Sequence, residues 1–307
     1  MMSPRITVLL SLYGDAPYLS AFLESLDRQE HRDFRLLVRI DEPGGEKRIP
    51  LVRAYPFASF AADSGVHRGC AGSYGSLLEE AAEDSDYLLT ADQDDVWDPD
   101  KIGTELNIMR EAEREYGRET PILVHTDLRV ADRDLRVLAP SFMRFQALSP
   151  ERTGLKDLMI QNNVTGCTVM INRSLARRVR IPPEAICHDW YLALTAAAFG
   201  RIVYLDRATV SYRQHESNVY GAVPRHAQFR KLFSPGRLHE SLRATQRQAG
   251  AFLARHEEEL APDQKAVLSA WHDCLEEPDK WKRLRTVFGH RLRKNDLLRT
   301  AGMWWAV

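Results

Sequence analysis

The chain has 307 residues, 44% hydrophobic and 28% charged, which suffices for one large core or a core with an appendage. Lys and Arg number 42 against 43 Asp and Glu, and the net charge of −1 gives no general pull toward nucleic acid. Four cysteines, Cys70, Cys167, Cys187 and Cys274, stand far apart with no CxxC pair, which argues against a zinc site or a disulfide framework and suits a reducing cytosol.

Residues 1–6 carry no cationic leader followed by an apolar run, and no stretch approaches roughly 18 uninterrupted apolar residues. A cytoplasmic protein is expected, with any membrane contact peripheral at the inner face. Residues 5–11 are a β-branched and aliphatic run that reads as a first strand. A turn at Leu12, Tyr13, Gly14 and Asp15 leads to an amphipathic helix over 17–27, with Leu19, Phe22, Leu23 and Leu26 on one face. A second strand over 34–40 ends at Asp41, so strand, helix and strand open a nucleotide-binding α/β half. His67, Arg68 and Gly69 then lead through further glycines into a helix, where backbone N–H groups would approach an anion and Arg68 would add charge. The spacing is neither GxGxxG nor a P-loop, and Gly72-Ser73-Tyr74-Gly75 is not a serine-hydrolase elbow.

The segment around which the chain is organised comes next. Tyr87 to Ala91 lacks any turn former and reads as a buried strand of a parallel sheet; Asp92, Asp94 and Asp95 follow at once. Asp98 and Pro99 look like the N-cap and first position of a helix reaching about Tyr116. Carboxylates at the carboxyl end of a strand lie where open α/β sheets bind ligands. Their mutual repulsion is best relieved by a cation, and hard Mg²⁺ or Mn²⁺ takes oxygen donors while leaving positions for substrate phosphates. In an extended segment Asp92 and Asp94 would point to one side and Gln93 to the other.

A strand over 122–125 and a hairpin over 127–137 follow, then an apolar segment, 141–161, read as packing or as a wall over an acceptor. Residues 162–172 read as a turn entering a buried strand. A buried helix opens at His188 and Asp189, and two short strands, 202–205 and 208–212, precede Tyr212-Arg213-Gln214-His215. Arg213 suits neutralisation of a diphosphate and His215 a metal-ligand role.

Asp-Gln-Asp-Asp-Val-Trp after an apolar strand resembles the DxD region of inverting GT-A glycosyltransferases of family two, in their bacterial rhamnosyltransferase-like branch, with the resemblance spanning residues 6–221. It implies an α/β, GT-A fold with a Rossmann-like nucleotide-binding sheet sandwiched by helices. It implies that Ser11, Leu12 and Tyr13 cup the nucleotide, that Asp41 accepts from base or ribose, and that Arg68 and Gly69 line the pocket. Gly166 would lie beside donor sugar and acceptor, Asp92 would support metal or ribose, and Asp94 and His215 would hold the cation. Asp189 would be the base, and Arg213 would face the diphosphate. The implied cofactor is Mg²⁺ or Mn²⁺. The implied donor is a dTDP- or UDP-sugar, dTDP-rhamnose by preference, and the acceptor a glycan or lipid-linked glycan. Alternatives from other classes are a nucleotidyltransferase, for which the first loop lacks Lys and Arg, and a catalytically silent glycan-binding module.

The catalytic part is expected over 1–222 and a helical, basic extension over 223–307. From Lys280 onward eight Lys or Arg stand against one acid, Asp296, interleaved with Trp281, Phe288, Trp304 and Trp305. Such a tail suits an anionic membrane surface, the catalytic part of its own chain, or a second copy in a homodimer.

Overall fold

A computed structural model describes residues 4–215 and 235–307. The expected boundary near 222, the start of the first C-terminal helix, and the Glu216, Ser217 and Asn218 end of the closing motif lie outside the described residues. Nine strands form one sheet: β1 (Ile6–Leu12), β2 (Phe34–Ile40), β3 (Ala58–Phe60), β4 (Tyr87–Ala91), β5 (Val96–Trp97), β6 (Ile122–Ala131), β7 (Val137–Ala139), β8 (Val169–Asn172) and β9 (Arg201–Arg213). Their order is β3-β2-β1-β4-β8-β6-β9-β5, with β7 on β6. β1, β2, β3 and β4 run parallel, β4 being buried along its whole length, and β6 pairs parallel with β9. The sheet is nevertheless mixed, because β8 is antiparallel to both β4 and β6.

That one reversed strand has a consequence for the site. The carboxyl ends of β1, β2, β4, β6 and β9 and the amino end of β8 all lie at the same edge of the sheet. The expected site residues 11–13, 41, 92–94, 166 and 213–215 sit at those strand ends.

The helices are α1 (Leu19–Asp27), α2 (Ile49–Arg53), α3 (Gly69–Ala81), α4 (Lys101–Tyr116), α5 (Phe142–Gln146), α6 (Leu155–Leu158), α7 (Arg173–Arg178), α8 (His188–Phe199), α9 (Pro235–His256), α10 (Pro262–Cys274), α11 (Lys280–Gly289) and α12 (Leu297–Ala306). One apolar layer packs α1 and α4 on the sheet through Leu19, Phe22, Leu23, Ile102, Leu106 and Met109. The opposite layer joins α3, α6 and α8 to the C-terminal helices, with Tyr191 of α8 and Phe252 of α9 meeting edge to face at 5.6 Å. Leu242, Trp271, Val287 and Met303 are buried in this same layer, so the helices from 235 onward complete the core on that side. None of the described helices is long and apolar enough to cross a membrane.

Four local expectations are corrected. Asp98 does not cap α4: its carboxylate is taken by Arg129, its N–H donates to Thr209 O at 2.9 Å, and the helix begins only at Lys101. The chain cannot enter the helix sooner because Val96 and Trp97 form a short strand on β9. Residues 93–94 form a turn rather than an extended segment, which removes the alternation argument for Asp92 and Asp94. The two short strands expected over 202–212 are one long strand, its irregularity absorbed by register shifts opposite Asp127. Helix α1 starts at Leu19, after Pro17.

Candidate active site

Two loops at the sheet edge are pinned together by a side chain. Gln93 accepts from Tyr13 N at 3.1 Å and donates from Nε2 to Tyr13 O at 2.9 Å, which fixes the loop after β1 to the loop after β4. Tyr13 is 55% exposed and its ring tilts over His67 with centroids 5.0 Å apart, giving an aromatic platform at the mouth. Ser11 Oγ meets Ser73 Oγ at 2.6 Å, whereas Leu12 is fully buried in the core and its carbonyl accepts from Asp41 N at 2.8 Å.

Asp41 lies 2% exposed beside the same mouth. Its Oδ1 accepts from Arg68 N at 2.8 Å and pairs with Arg39, while His67 Nδ1 stands 3.2 Å from Oδ2. The fully buried Arg39 also donates to Asp63 Oδ1 at 2.9 Å, Ser73 Oγ at 3.1 Å and Val66 O at 2.7 Å. It therefore knits β2, the loop before α3 and α3 itself. Arg68 reaches Asp63 Oδ2 at 3.1 Å and remains half-exposed; Gly69 opens α3 with φ +71°, a left-handed conformation that favours glycine.

The acidic turn is held from beneath by the end of β9. Arg213 N donates to Asp95 Oδ1 at 3.1 Å, and its Nε donates to Asp94 O at 2.9 Å. The guanidinium lies 4.2 Å from the centroid of Tyr18 and also bonds Arg133 O, so Arg213 braces the acidic turn through its backbone. His215 Nε2 stands 2.7 Å from Asp94 Oδ2. Desolvation, then the charges of Asp94 and Asp189, push the Asp92 carboxyl up to about 7. Asp95 is raised well above its ordinary range by burial and by the charges of Asp92 and Asp94.

Asp189 is carried on the first turn of α8. Its Oδ2 accepts from Gly166 N at 3.0 Å and its Oδ1 from Trp190 N at 2.6 Å, while Gly166 O accepts from Thr90 Oγ1 at 2.6 Å. Gly166 thus links β4, which delivers the acidic turn, to the carboxylate of α8. A Cβ at Gly166 would stand 2.8 Å from His188 Nε2, so the glycine is required by the histidine ring. That ring stacks on Tyr74 at 3.8 Å and lies 3.6 Å from Cys70 Sγ, and burial pushes its pKa down against the opposing charge of Asp189. The Cys70 thiol is pushed up to about 12 by desolvation and then by the charges of Asp92, Asp189 and Asp41.

Two arrangements of these residues bear on a cation. Donors of Asp92, Asp95 and Cys167 lie within 4.8 Å of one another, yet the buried thiol is pushed well above its usual range and a sulfur suits Mg²⁺ or Mn²⁺ poorly. The Asp94 and His215 pair fits better. Its 2.7 Å separation is close to the roughly 3 Å edge between adjacent ligands of an octahedral cation bound at about 2.1 Å. Asp92, raised by its anionic neighbours, would be relieved by the same cation.

Sequence reasoning missed Arg39 and Gln93 as parts of this site, and placed Asp95 among the three carboxylates without its bond to Arg213. Arg39 carried a readable signal, a charge inside the apolar run Leu36-Leu37-Val38 and two residues before Asp41. Gln93 and the Asp95 bond carried none, because the partners lie 80 and 118 residues away.

No family model and no curated protein sequence matches the chain. Solved structures do share its fold. The crystal structure of S. aureus TarS 1-349 in complex with UDP-GlcNAc superposes with a TM-score of 0.59 at 14% identity, over 93% of this chain and 80% of that one. The mannosyltransferase PcManGT from Pyrobaculum calidifontis, in complex with GDP-Man and Mn²⁺, gives a TM-score of 0.53 at 14% identity over 94% and 76%. Against a longer form of S. aureus TarS the TM-score is 0.54 at 13% identity, and this chain spans 43% of that protein's length. The fold is of the GT-A type.

Proposed function

We propose that the protein is a metal-dependent, inverting glycosyltransferase that moves a sugar from a nucleoside diphosphate to a hydroxyl of a glycan or lipid-linked glycan. The observation that carries this reading is the approach of His215 Nε2 to Asp94 Oδ2 at 2.7 Å at the carboxyl edge of the sheet, with Asp92 raised by burial and by the charges of Asp94 and Asp189. The structures sharing the fold hold UDP-GlcNAc, or GDP-Man with Mn²⁺, which is consistent with a nucleotide-sugar donor here. The preferred donor remains dTDP-rhamnose, on the resemblance of the Asp92–Trp97 and 212–215 motifs.

In this reading Asp94 and His215 hold the cation and Asp92 supports it. When bound, a divalent cation neutralises the diphosphate as charge develops on the leaving oxygen. The exposed face of Tyr13 offers a surface for the base, with Asp41 and the N–H groups opening α3 beside it. Asp189 receives the proton of the acceptor hydroxyl. As that proton leaves, the oxygen bonds the anomeric carbon from the face opposite the diphosphate, whose C–O bond breaks with inversion. Backbone N–H groups fix both Asp189 oxygens, so the carboxylate is oriented before the acceptor arrives.

A panel of nucleotide sugars incubated with Mn²⁺ or Mg²⁺ tests the reading by release of nucleoside diphosphate. Release should need the metal and fall at least about 100-fold in Asp94→Ala. Asp189→Asn should keep donor binding by calorimetry while transfer is lost. Pyrophosphate release from a nucleoside triphosphate would instead point to a nucleotidyltransferase.

A further inference from the structure

The last two helices bury one face and leave the other bare. In α11, Val287 is buried while Trp281 and Phe288, two turns apart on one side, are 76% and 53% exposed with exposed Arg285 between them. In α12, Thr300 and Met303 are buried, whereas Leu297 and Trp305 are 88% and 57% exposed, with exposed Ala301 midway. The two stripes belong to one surface, since Phe288 and Trp304 rings lie 4.9 Å apart and Lys280 Nζ donates to Trp305 O at 3.1 Å. Single exposed apolar residues are ordinary, but exposed Trp281 and Phe288 on one helix and Leu297 and Trp305 on the next mark an interaction face.

Charge identifies what covers it. Exposed Lys280, Lys282, Arg285, Arg291 and Arg293 surround the stripes, Lys282 lying 3.7 Å from Glu277. Among the described residues no carboxylate pairs with Arg285, Arg291 or Arg293, while Asp296, the one acid from 280 onward, is engaged by Arg299 at 3.1 Å. Beside the stripes a cleft of about 650 Å³ is lined by Arg152, Lys156, Arg291 and Arg293 against two acids, Glu151 and Asp157, of which Asp157 is paired with Arg152, and Trp304 Nε1 at its wall has no hydrogen-bond partner among the described residues. A second copy of this face would bring the same cations against themselves across a two-fold axis. An anionic bilayer instead neutralises them, accepts indole rings at headgroup depth and supplies phosphate oxygens to the cleft.

We infer that α11, α12 and the 290–296 connection form a docking surface for an anionic phospholipid bilayer. Trp281, Phe288, Leu297 and Trp305 enter the interface, and the surrounding Lys and Arg side chains face lipid phosphates. The surface is independent of the donor site, and its failure leaves the transferase reading untouched.

The full chain is sedimented with vesicles of phosphatidylcholine alone or mixed equally with phosphatidylglycerol, at about 0.15 M salt, where exposed charges are screened beyond about 8 Å. Binding is expected only to the mixed vesicles. Arg285→Ser, Arg291→Ser and Arg293→Ser combined should weaken it about 100-fold, at roughly five-fold per cation. Trp281→Ser with Trp305→Ser should weaken it at least about ten-fold without changing the melting temperature. Absence of binding to the mixed vesicles, equal binding to both, or insensitivity to either set of substitutions overturns the inference. So does a concentration-dependent dimer in light scattering that the tryptophan substitutions abolish, because a second copy would then occupy the face.

Discussion

Gly166→Ala is the sharpest probe of the proposed site, since one methyl group acts on both its halves. The new Cβ would stand 2.8 Å from His188 Nε2 and 3.0 Å from Cε1, where ordinary carbon contacts begin near 3.5 Å. The ring has little room to retreat, because its other face is stacked on Tyr74 at 3.8 Å and its Nδ1 rests against Cys70 Sγ. A shift of about 0.7 Å must then be taken by α8 or by the 166–168 turn, at the cost of overpacking a closed core, about 1–3 kcal/mol. In a chain of this size that lowers the melting temperature by about 2–4 °C per kcal/mol. Gly166 N also anchors Asp189 Oδ2, so the same shift displaces the proposed base, and a misplacement near 1 Å is worth about 100-fold in rate. Melting and nucleoside diphosphate release are measured on Gly166→Ala, His188→Ala and the double variant. Removal of the ring opens the space, so the double variant should be more stable than the sum of the singles by about 1–2 kcal/mol. A Gly166→Ala protein that melts with the wild type, or a cycle with no coupling, would refute the steric reasoning.

Arg39→Met leaves Asp41 buried with its guanidinium partner gone, and should destabilise the chain by about 3–5 kcal/mol in urea unfolding; Arg39→Met with Asp41→Asn should recover part of that loss. His125 sits fully buried in β6 beside Tyr204, neither ring nitrogen has a hydrogen-bond partner among the described residues, and burial pushes its pKa down to about 3. Its folded value thus lies below the unfolded value near 6.5, so the unfolded chain binds the proton first and stability is lost as pH falls from about 6.5 toward 3. Between pH 7 and pH 5 this one group should cost about 2 kcal/mol, and His125→Phe should remove that share of the acid slope in paired urea titrations. An unchanged slope would mean that the ring takes up its proton without leaving the core.

What the sequence disclosed and what it withheld separate by the range of the forces involved. Residues 34–40 and 87–91 were legible as strands to the residue, the second because a strand buried on both faces lacks charges and is bounded by polar residues, the first because its aliphatic centre, 36–38, ends at the turn after Asp41. Helix α8 was legible from its long apolar run, whereas the turn at 93–94 was not. The reversed direction of β8 was not, since its four residues look alike read either way. Nor was the fate of Asp98: an Asp before Pro is a good cap in isolation, yet a pairing with Arg129, 31 residues on, outweighs a capping bond worth about 1 kcal/mol.

The acidic turn owes its shape to a distant strand and not to its own local geometry. Alternation in an extended segment was to aim Asp92 and Asp94 together, and the segment is not extended. The turn is shaped instead by Arg213, which takes a main-chain oxygen from Asp94 and offers its own N–H to Asp95. Asp95 becomes the structural acid of the three, buried and turned toward β9. Asp94 is left facing His215, and Asp92 is left where the charges of Asp94 and Asp189 both reach it. Three identical side chains within four positions therefore acquire three different environments, and what divides them is a strand that ends 118 residues further along the chain.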